Sequence, residues 1–263
     1  MPSALPPAVF HQLSLARSVL DAGLGSAIVS MHVFGSAVDT GLQPSSDLDL
    51  LVTVDEAPSE SQRSAVLTQL LTVSAPPGTS VILRPLEVTV LSLAHLKPWR
   101  YPARRELQFG EWLRHDLLGG VFEAPMPDPD LAILITKVRD SSIALYGPEA
   151  SALLPPVPQA DLERALLDTV GQWNQPEDWA GDERNIVLAL ARCWHTAWTG
   201  RICSKQEAAT WVLERVDDRH KAIVANARAA YLGLEQDTLP TQPEAVQAFV
   251  RDARTEVEQK LAG

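Results

Sequence analysis

Two aspartates separated by one residue, Asp47 and Asp49, begin an aliphatic run and are the side chains in this chain best suited to chemistry. Successive residues of a β-strand alternate between its two faces, so these two carboxylates are predicted to project together. Adjacent carboxylates repel each other unless a cation neutralises them. Mg²⁺ is the expected cation, because it binds few carboxylates together with the phosphate oxygens of a substrate.

A glycine–serine pair, Gly35 and Ser36, precedes the aspartates, with ten residues between Ser36 and Asp47. The pair follows a strand predicted over residues 27–34. Glycine lets the backbone approach a phosphate closely. Ser36 adds a hydroxyl at the expected start of a helix, where unpaired N–H groups favour an anion. We therefore interpret both residues as part of a nucleotide-binding turn.

A third acid, Glu87, lies in an alternating polar and apolar run on a strand predicted over residues 81–91. If its side chain faces the same way as those of Asp47 and Asp49, three carboxylates meet at one site. Glu87 would then be either a metal ligand or a general base that takes a proton from an attacking hydroxyl. The spacing of the residues leaves both roles open.

Hydrophobic periodicity predicts an α+β N-terminal domain with a small mixed sheet and helices, followed by an all-α helical bundle. Three prolines in four positions over residues 155–158 cannot lie within a helix and favour a linker, so we expect domains at residues 1–157 and 158–263. The expected elements of the first domain are helices over 9–20, 59–73 and 128–147, and strands over 27–34, 47–54 and 81–91. Those of the second are helices over 161–173, 183–199, 204–216, 219–232 and 243–261.

Three of the predicted helices begin with a capping-box pattern, at residues 59–62, 204–207 and 241–244. In the second domain, three tryptophans on helical stripes are interpreted as core residues, namely Trp194, Trp198 and Trp211.

Composition and charge restrict the classes of function. Hydrophobic residues make up 46% of the 263 residues, which predicts a substantial core. The 22 basic and 33 acidic residues give a formal net charge of −11. This charge argues against a nucleic-acid partner and suits a cationic small substrate, although acidity for solubility alone explains it equally well. We recognise no signal peptide and no membrane span, and the two cysteines lack metal or redox spacing, which predicts a cytoplasmic protein.

Two further segments make a family resemblance specific: WRYPARRELQFGEW at residues 99–112 and DWAGDERN at residues 178–185. With the Gly-Ser and Asp-x-Asp pattern of polymerase-β-type nucleotidyltransferases, they resemble the aminoglycoside 3″-adenylyltransferases, which inactivate streptomycin and spectinomycin. The likeness runs nearly end to end. It implies ATP- and Mg²⁺-dependent transfer of AMP to a drug hydroxyl by a monomer, with the C-terminal helical domain completing the drug and nucleotide site.

The resemblance also implies roles for individual residues. Asp47 and Asp49 match the metal ligands, and Glu87 matches the catalytic base beside the drug. The positions that match nucleotide contacts are Ser36, Ser46, Arg192, Lys205 and Tyr231. Those that match drug contacts are Trp112 and Asp182 for both drugs, and Trp173 and Asp178 for streptomycin. Asn185 stands where some relatives carry a histidine, so an imidazole contact to the drug is not expected here.

Other interpretations compete with these. Asp182 precedes a predicted helix and could serve as its N-cap, whose loss costs about 1 kcal/mol of stability. A nucleotidyltransferase that modifies a protein or RNA hydroxyl is one alternative function, although the net charge disfavours RNA. A non-catalytic nucleotide-binding module is another, but such a module has no need of a base beside the metal. The sequence therefore favours AMP transfer to a cationic drug.

Overall fold

A computed structural model describes residues 7–44 and 46–263 of the chain. The expectation of no signal peptide rests partly on residues 1–6, which lie outside the described residues. The chain divides into two compact units, Met1–Val157 and Pro158–Gly263. The first unit combines a mixed sheet with helices, and regular structure in the second is helical, which confirms the predicted fold class. No helix of the described ranges is long and apolar enough to cross a membrane.

The first unit holds the sheet and the helices that cover it. Its strands are β1 Ile28–Phe34, β2 Leu48–Val54, β3 Leu86–Ser92, β4 Ala103–Arg105, β5 Leu107–Phe109, β6 Met126–Asp128 and β7 Ser142–Tyr146. Its helices are α1 Pro7–Leu24, α2 Ser36–Asp39, α3 Glu60–Leu70, α4 Leu93–Leu96, α5 Arg114–Leu118, α6 Leu131–Asp140 and α7 Ala150–Leu153, and short 3₁₀ turns lie at Gly25–Ala27 and Glu111–Leu113.

The second unit is built from α8 Gln159–Val170, α9 Glu183–Thr199, α10 Lys205–Leu213, α11 Asp218–Tyr231 and α12 Pro243–Ala262, with 3₁₀ turns at Pro176–Asp178 and Leu239–Thr241. Helix α9 contacts α8, α10, α11 and α12, so it forms the centre of this unit.

The main sheet has the strand order β5-β3-β2-β1-β7. Strands β2 and β3 are parallel, and the other neighbouring pairs are antiparallel. Strands β4 and β6 form a separate two-stranded sheet. The aspartate pair and Glu87 thus lie at the starts of two neighbouring parallel strands in the middle of the sheet.

Alternation along β2 divides its side chains between two cores. Leu48 and Leu50 belong to the cluster that includes apolar residues of α1 and α3. Leu51 belongs to a second cluster with residues of α6 on the opposite face. Because Asp49 alternates with Leu48 and Leu50, its carboxylate projects to the α6 face of the sheet. The burial of aliphatic residues on both faces therefore fixes the direction of the acid.

Two predicted elements of the first unit were wrong in extent. Residues 81–85 lie outside the third strand, which begins at Leu86 after Pro85. The helix expected over 128–147 covers only Leu131–Asp140, with Asp130 as its N-cap, and Ser142–Tyr146 forms β7 beside β1. The sequence prediction also lacked β4, β5 and β6, which are only three residues long each.

Two helix caps differ from the prediction, while one is confirmed. Ser59 and Gln62 form the full capping box of α3. The Ser204 hydroxyl accepts a hydrogen bond from the Glu207 amide at 3.1 Å, which is one half of the predicted box. Thr241 ends a 3₁₀ turn instead of capping α12, whose N-cap is Gln242.

The three tryptophans interpreted as core residues are not alike. Trp194 is buried, as predicted. Trp198 is 50% exposed, so that prediction was wrong; the Lys260 ammonium lies 5.2 Å from its ring centroid. Trp211 is half-buried between the guanidinium of Arg215 and the ring of His195.

Two buried histidines, one in each unit, lie within hydrogen-bond distance of a backbone carbonyl oxygen. His32 of β1 is fully buried, and its Nε2 lies 3.0 Å from the Pro148 carbonyl oxygen, which can only accept. In the second unit, Nδ1 of the buried His195 lies 3.1 Å from the Arg201 carbonyl oxygen. Burial lowers the pKa of both His32 and His195, more than these hydrogen bonds raise it. Each ring therefore takes up a proton more readily in the unfolded chain.

Unfolding by urea is expected to become easier as the pH falls from 7.5 to 5.5. The folded-state pKa of each histidine lies below its unfolded value of about 6.5, so the stabilisation is complete above that pH and is lost below it. Carboxylates titrate mainly below this range. His32→Leu should weaken the pH dependence of the unfolding free energy of the first unit. His115→Gln, which replaces a fully exposed side chain, should leave that pH dependence as in wild type. Equal slopes in all three proteins would contradict the assignment.

Candidate active site

The turn after β1 is built against the carboxylate of Asp49. Phe34, the last residue of β1, pairs with Asp49 of β2, so Gly35 follows directly beside that side chain. Gly35 has φ +70° and ψ −147°, a conformation that is essentially restricted to glycine. A Cβ atom at Gly35 would lie 2.0 Å from Oδ2 of Asp49. The carboxylate therefore occupies the space that any other residue would need.

Ser36 is the first residue of the short helix α2, as predicted. The far end of this helix is fixed by α6: Asp39 forms an ion pair with the buried Lys137 and accepts a hydrogen bond from the Ser141 hydroxyl at 2.7 Å. Helix α6 thus anchors the Gly35–Ser36 turn near the start of β2.

The loop that leads to Asp47 is held by hydrogen bonds of the Ser46 hydroxyl and of Arg84. The buried Ser46 hydroxyl accepts a hydrogen bond from the Gln43 amide at 3.0 Å. One Arg84 nitrogen, Nη1, donates to the carbonyl oxygens of Gln43 and Ser46 at 2.9 and 3.1 Å. Arg84 therefore ties the segment before β3 to the segment before β2. The predicted triphosphate contact of Ser46 stays a prediction.

Glu87 lies beside Asp49. In the parallel ladder of β2 and β3, Asp49 pairs with Glu87, as Leu48 does with Leu86. In-register residues of adjacent strands project to the same face at a strand spacing of about 4.8 Å. Among the described residues, no three or more His, Cys, Asp or Glu side chains form a group placed to hold a metal ion. The three-carboxylate ligand set predicted from the sequence therefore stays a prediction.

Trp112 lies in a 3₁₀ turn that hydrogen bonds connect to neighbouring segments. Its side chain is largely exposed, and its indole covers Gly110, where an added Cβ would approach the ring to 2.2 Å. Glu111, beside it, accepts a hydrogen bond from Arg114 Nη2 at 2.8 Å. Arg114 also donates to the Ser74 carbonyl oxygen at 3.0 Å. The turn thus presents an aromatic side chain from a fixed base.

Four residues of the second unit that the sequence analysis singled out lie in one chain of contacts. Asn185 Nδ2 donates to Asp182 Oδ1 at 2.6 Å. Lys205 Nζ donates to Asn185 Oδ1 at 3.4 Å and lies 5.6 Å from the ring centroid of Tyr231. An amide carries a donor and an acceptor, so Asn185 bridges an anion and a cation.

Asp182 occupies the N-cap position of α9, but its side chain does not cap the helix backbone. Its carboxylate accepts a hydrogen bond from the Asn185 side chain instead. The competing interpretation was therefore right that Asp182 is the N-cap residue, but wrong that its side chain caps the helix.

Asp178 has a local structural role. Its Oδ2 accepts from the backbone amides of Asn174 and Gln175 at 2.7 and 2.8 Å. These hydrogen bonds, that of Gln175 first, lower the pKa of Asp178. The half-buried Trp173 is held nearby through its carbonyl oxygen, which accepts from Arg254 at 2.8 Å. A drug contact at either residue stays a prediction.

Arg192 lies in the middle of α9, and its Nε atom is buried without an acceptor in the described part of the chain. Such a donor suits an anionic ligand. However, the Nε atoms of Arg184, Arg228 and Arg254 share this property, so it does not distinguish Arg192 as a nucleotide contact.

In the first unit, the structure places Gly35 and Glu87 beside Asp49, and Ser36 follows Gly35. In the second unit, Asn185 links Asp182 to Lys205, which lies near Tyr231. A place for Asp47 beside the other two acids stays a prediction. The sequence analysis missed Gln108, whose Nε2 donates to Glu87 Oε1 at 3.4 Å, and Arg84. The alternation in Leu107-Gln108-Phe109 is the only signal that could have indicated Gln108 as a polar residue on a sheet face.

Comparisons with known proteins find adenylyltransferases that are similar to this chain. The family model "aminoglycoside adenylyltransferase, C-terminal domain" matches residues 152–256. An aminoglycoside (3″)(9) adenylyltransferase of Escherichia coli is 48% identical over 98% of this chain and 98% of its own length. A spectinomycin 9-adenylyltransferase of Staphylococcus aureus is 39% identical over 90% of each chain.

A solved structure is also similar. It is that of the spectinomycin adenyltransferase AAD(9) from Enterococcus faecialis with ATP and spectinomycin, with a TM-score of 0.88, 27% identity and coverage of 95% of this chain and 99% of that one. Together with the mixed sheet, these relatives identify the chain as a nucleotidyltransferase. Within that class, the chain belongs to the aminoglycoside (3″)(9) adenylyltransferase family.

Proposed function

We propose that this protein transfers AMP from ATP to the 3″-hydroxyl of streptomycin and the 9-hydroxyl of spectinomycin, releases pyrophosphate and so confers resistance to both drugs. The observation that carries the proposal is the pairing of Asp49 with Glu87 beside the Gly35 turn, in a chain 48% identical to an enzyme named for both positions. The proposal also takes the protein to be a cytoplasmic monomer without a nucleic-acid partner.

Asp47 and Asp49 are the residues that would hold Mg²⁺. Their donor set fits this ion, because Mg²⁺ is commonly bound by one or two carboxylates and substrate phosphates. The Gly35 turn also lies directly against the Asp49 carboxylate, since an added Cβ would come within 2.0 Å of Oδ2. When bound, Mg²⁺ would supply positive charge that stabilises the leaving pyrophosphate.

Glu87 is the proposed general base. It removes the proton of the drug hydroxyl, whose oxygen then attacks the α-phosphorus of ATP while the bond to pyrophosphate breaks. Its position one strand away from Asp49 suits a base that acts next to the nucleotide. Since the protein forms no covalent bond in this step, positioning supplies much of the acceleration.

The two units have distinct proposed tasks. Residues 1–157 form the nucleotidyltransferase domain, in which Gly35, Ser36 and Ser46 contact the triphosphate. Residues 158–263 complete the drug and nucleotide site. There, Arg192, Lys205 and Tyr231 contact the nucleotide, and Trp173, Asp178 and Asp182 contact drug. Trp112 of the first domain contacts both drugs.

The test of this function uses the full chain, Mg²⁺ and ATP labelled at the α-phosphate. Separate reactions contain streptomycin, spectinomycin, transfer RNA or a protein extract, and pyrophosphate release is measured in each. Label on both drugs, with none on RNA or protein, is the expected result. Label on RNA or protein alone would establish the alternative acceptor, and no pyrophosphate release with either drug would reject the proposal.

Asp178→Asn is expected to raise the KM for streptomycin about two- to fivefold and to leave that for spectinomycin unchanged. Streptomycin carries guanidinium groups, for which a carboxylate is a better partner than an amide. Asn retains a carbonyl oxygen that can accept from the amides of Asn174 and Gln175, so the turn should persist. The measurement is steady-state kinetics with each drug.

The matched control is Glu177→Gln, which removes one negative charge from an exposed residue of the same 3₁₀ turn. It should change neither KM. An equal rise for both drugs in Asp178→Asn, or an equal effect of Glu177→Gln, would contradict a specific streptomycin contact.

A further inference from the structure

Gln108 is a buried polar side chain next to the proposed base. It lies on β5, is 8% exposed, and pairs across the ladder with Thr89 of β3. Its Oε1 accepts a hydrogen bond from the Thr89 hydroxyl at 2.8 Å. Its Nε2 donates to Oε1 of Glu87 at 3.4 Å. Thr89 is two residues after Glu87 on the same strand, so both contacts are made on one face of the sheet.

The carboxylate of Glu87 fixes the orientation of the amide. A carboxamide has one end that accepts and one end that donates, whereas an ionised carboxylate only accepts. Rotating the amide by half a turn would bring two oxygen acceptors, those of Gln108 and Glu87, against each other. The donating end of Gln108 therefore faces Glu87, and its accepting end takes the hydrogen bond from the Thr89 hydroxyl, which holds the side chain in place.

We propose that Gln108, held by Thr89, is a positioning residue for Glu87 in the transfer reaction; this inference rests on the proposed function. The donated hydrogen bond limits rotation of the Glu87 carboxylate. At 3.4 Å the contact is longer than the usual 2.7–3.2 Å, and such contacts at active sites often shorten when substrate binds. The role of Gln108 is thus to hold the base ready beside Asp49.

The test compares Gln108→Leu, Thr89→Val and the double variant with wild type in steady-state kinetics. Gln108→Leu should lower kcat roughly tenfold, the lower end of what loss of an outer partner costs at metal sites, with little change in the KM for ATP. This split between kcat and KM distinguishes a misplaced base from a damaged nucleotide site. Thr89→Val should give a smaller loss of kcat, also with an unchanged KM.

The double variant distinguishes positioning from general damage to the sheet. If Thr89 acts only through Gln108, the double variant should behave like Gln108→Leu alone, because interacting residues are not additive. The control is Gln69→Leu on the exposed surface of α3, which should match wild type. If Gln108→Leu does not fold, Thr89→Val decides, since valine retains the shape of threonine.

The outcomes separate this inference from the proposed function. A wild-type protein that transfers AMP to neither drug rejects the function itself. A wild type that is active and loses turnover in Glu87→Gln, while Gln108→Leu and Thr89→Val keep the wild-type kcat, rejects the positioning role alone. Effects of the two single changes that add in the double variant would likewise show that Thr89 does not act through Gln108.

Discussion

Glu87→Gln is expected to bind ATP and both drugs with nearly unchanged affinity and to transfer AMP at least about 100-fold more slowly. Glutamine has the shape of glutamate but cannot accept a proton at neutral pH. It also retains an oxygen that can accept the hydrogen bond from Gln108, so the sheet around it should be preserved. Calorimetric titrations with each ligand, beside steady-state kinetics, measure the two effects separately.

The control for this change is Glu60→Gln, which makes the same substitution at an exposed residue in the first turn of α3. It should leave both affinity and turnover unchanged. Wild-type turnover in Glu87→Gln would remove Glu87 from the role of base. Loss of ATP affinity in step with turnover would instead indicate that Glu87 acts mainly as a metal ligand, the other role that the sequence left open.

The strand that carries the aspartates was predictable because its signals are local. The prediction of a strand over residues 47–54 agrees with β2 at Leu48–Val54, since its aliphatic residues are buried on both faces of the sheet. The capping box of Ser59 and Gln62 was predictable for the same reason. Both of its hydrogen bonds join residues three apart, so the sequence alone contains the whole motif.

The elements that were missed depend on partners far away in the chain. Strand β7 is defined by its pairing with β1, more than a hundred residues earlier, and nothing in Ser142–Tyr146 itself distinguishes it from the end of a helix. The strands β4, β5 and β6 have only three residues each, so a single alternation such as that in β5 is too little to identify a strand. Gln108 lies on one of them, which is why its contact with Glu87 could not be inferred from the sequence.

Contacts in the candidate site likewise divide into those that local spacing predicts and those that depend on residues far away in the chain. Asp182 and Asn185 are three residues apart at a helix start, so their contact could have been expected from helical spacing. The contact of Asn185 with Lys205 joins two helices and required the structure. The family resemblance brought Tyr231 into the prediction and gave Lys205 its role. Without it, a lysine at a helix start indicates only an electrostatic task, because it is unfavourable for the helix dipole.

Gly35→Ala is expected to abolish the Mg²⁺-dependent part of ATP binding and to lower turnover at least about 100-fold, the scale on which small misplacements reduce rates. The new Cβ would lie 2.0 Å from Oδ2 of Asp49. This atom ends a side chain that can rotate, so the overlap is relieved by turning the carboxylate away from the Gly35 turn. The change should therefore act on the metal ligand more than on the fold. The positive φ adds a stability cost of about 1–3 kcal/mol.

Gly78→Ala separates backbone strain from displacement of the carboxylate. Gly78 has φ +74° but no atom within 4 Å of an added Cβ, so the variant should lose stability while its ATP affinity and turnover remain those of wild type. Urea unfolding and calorimetric ATP titrations with and without Mg²⁺ distinguish the two variants. If Gly35→Ala retained its Mg²⁺-dependent ATP affinity, the Asp49 carboxylate could not be the ligand that the Gly35 turn holds in place.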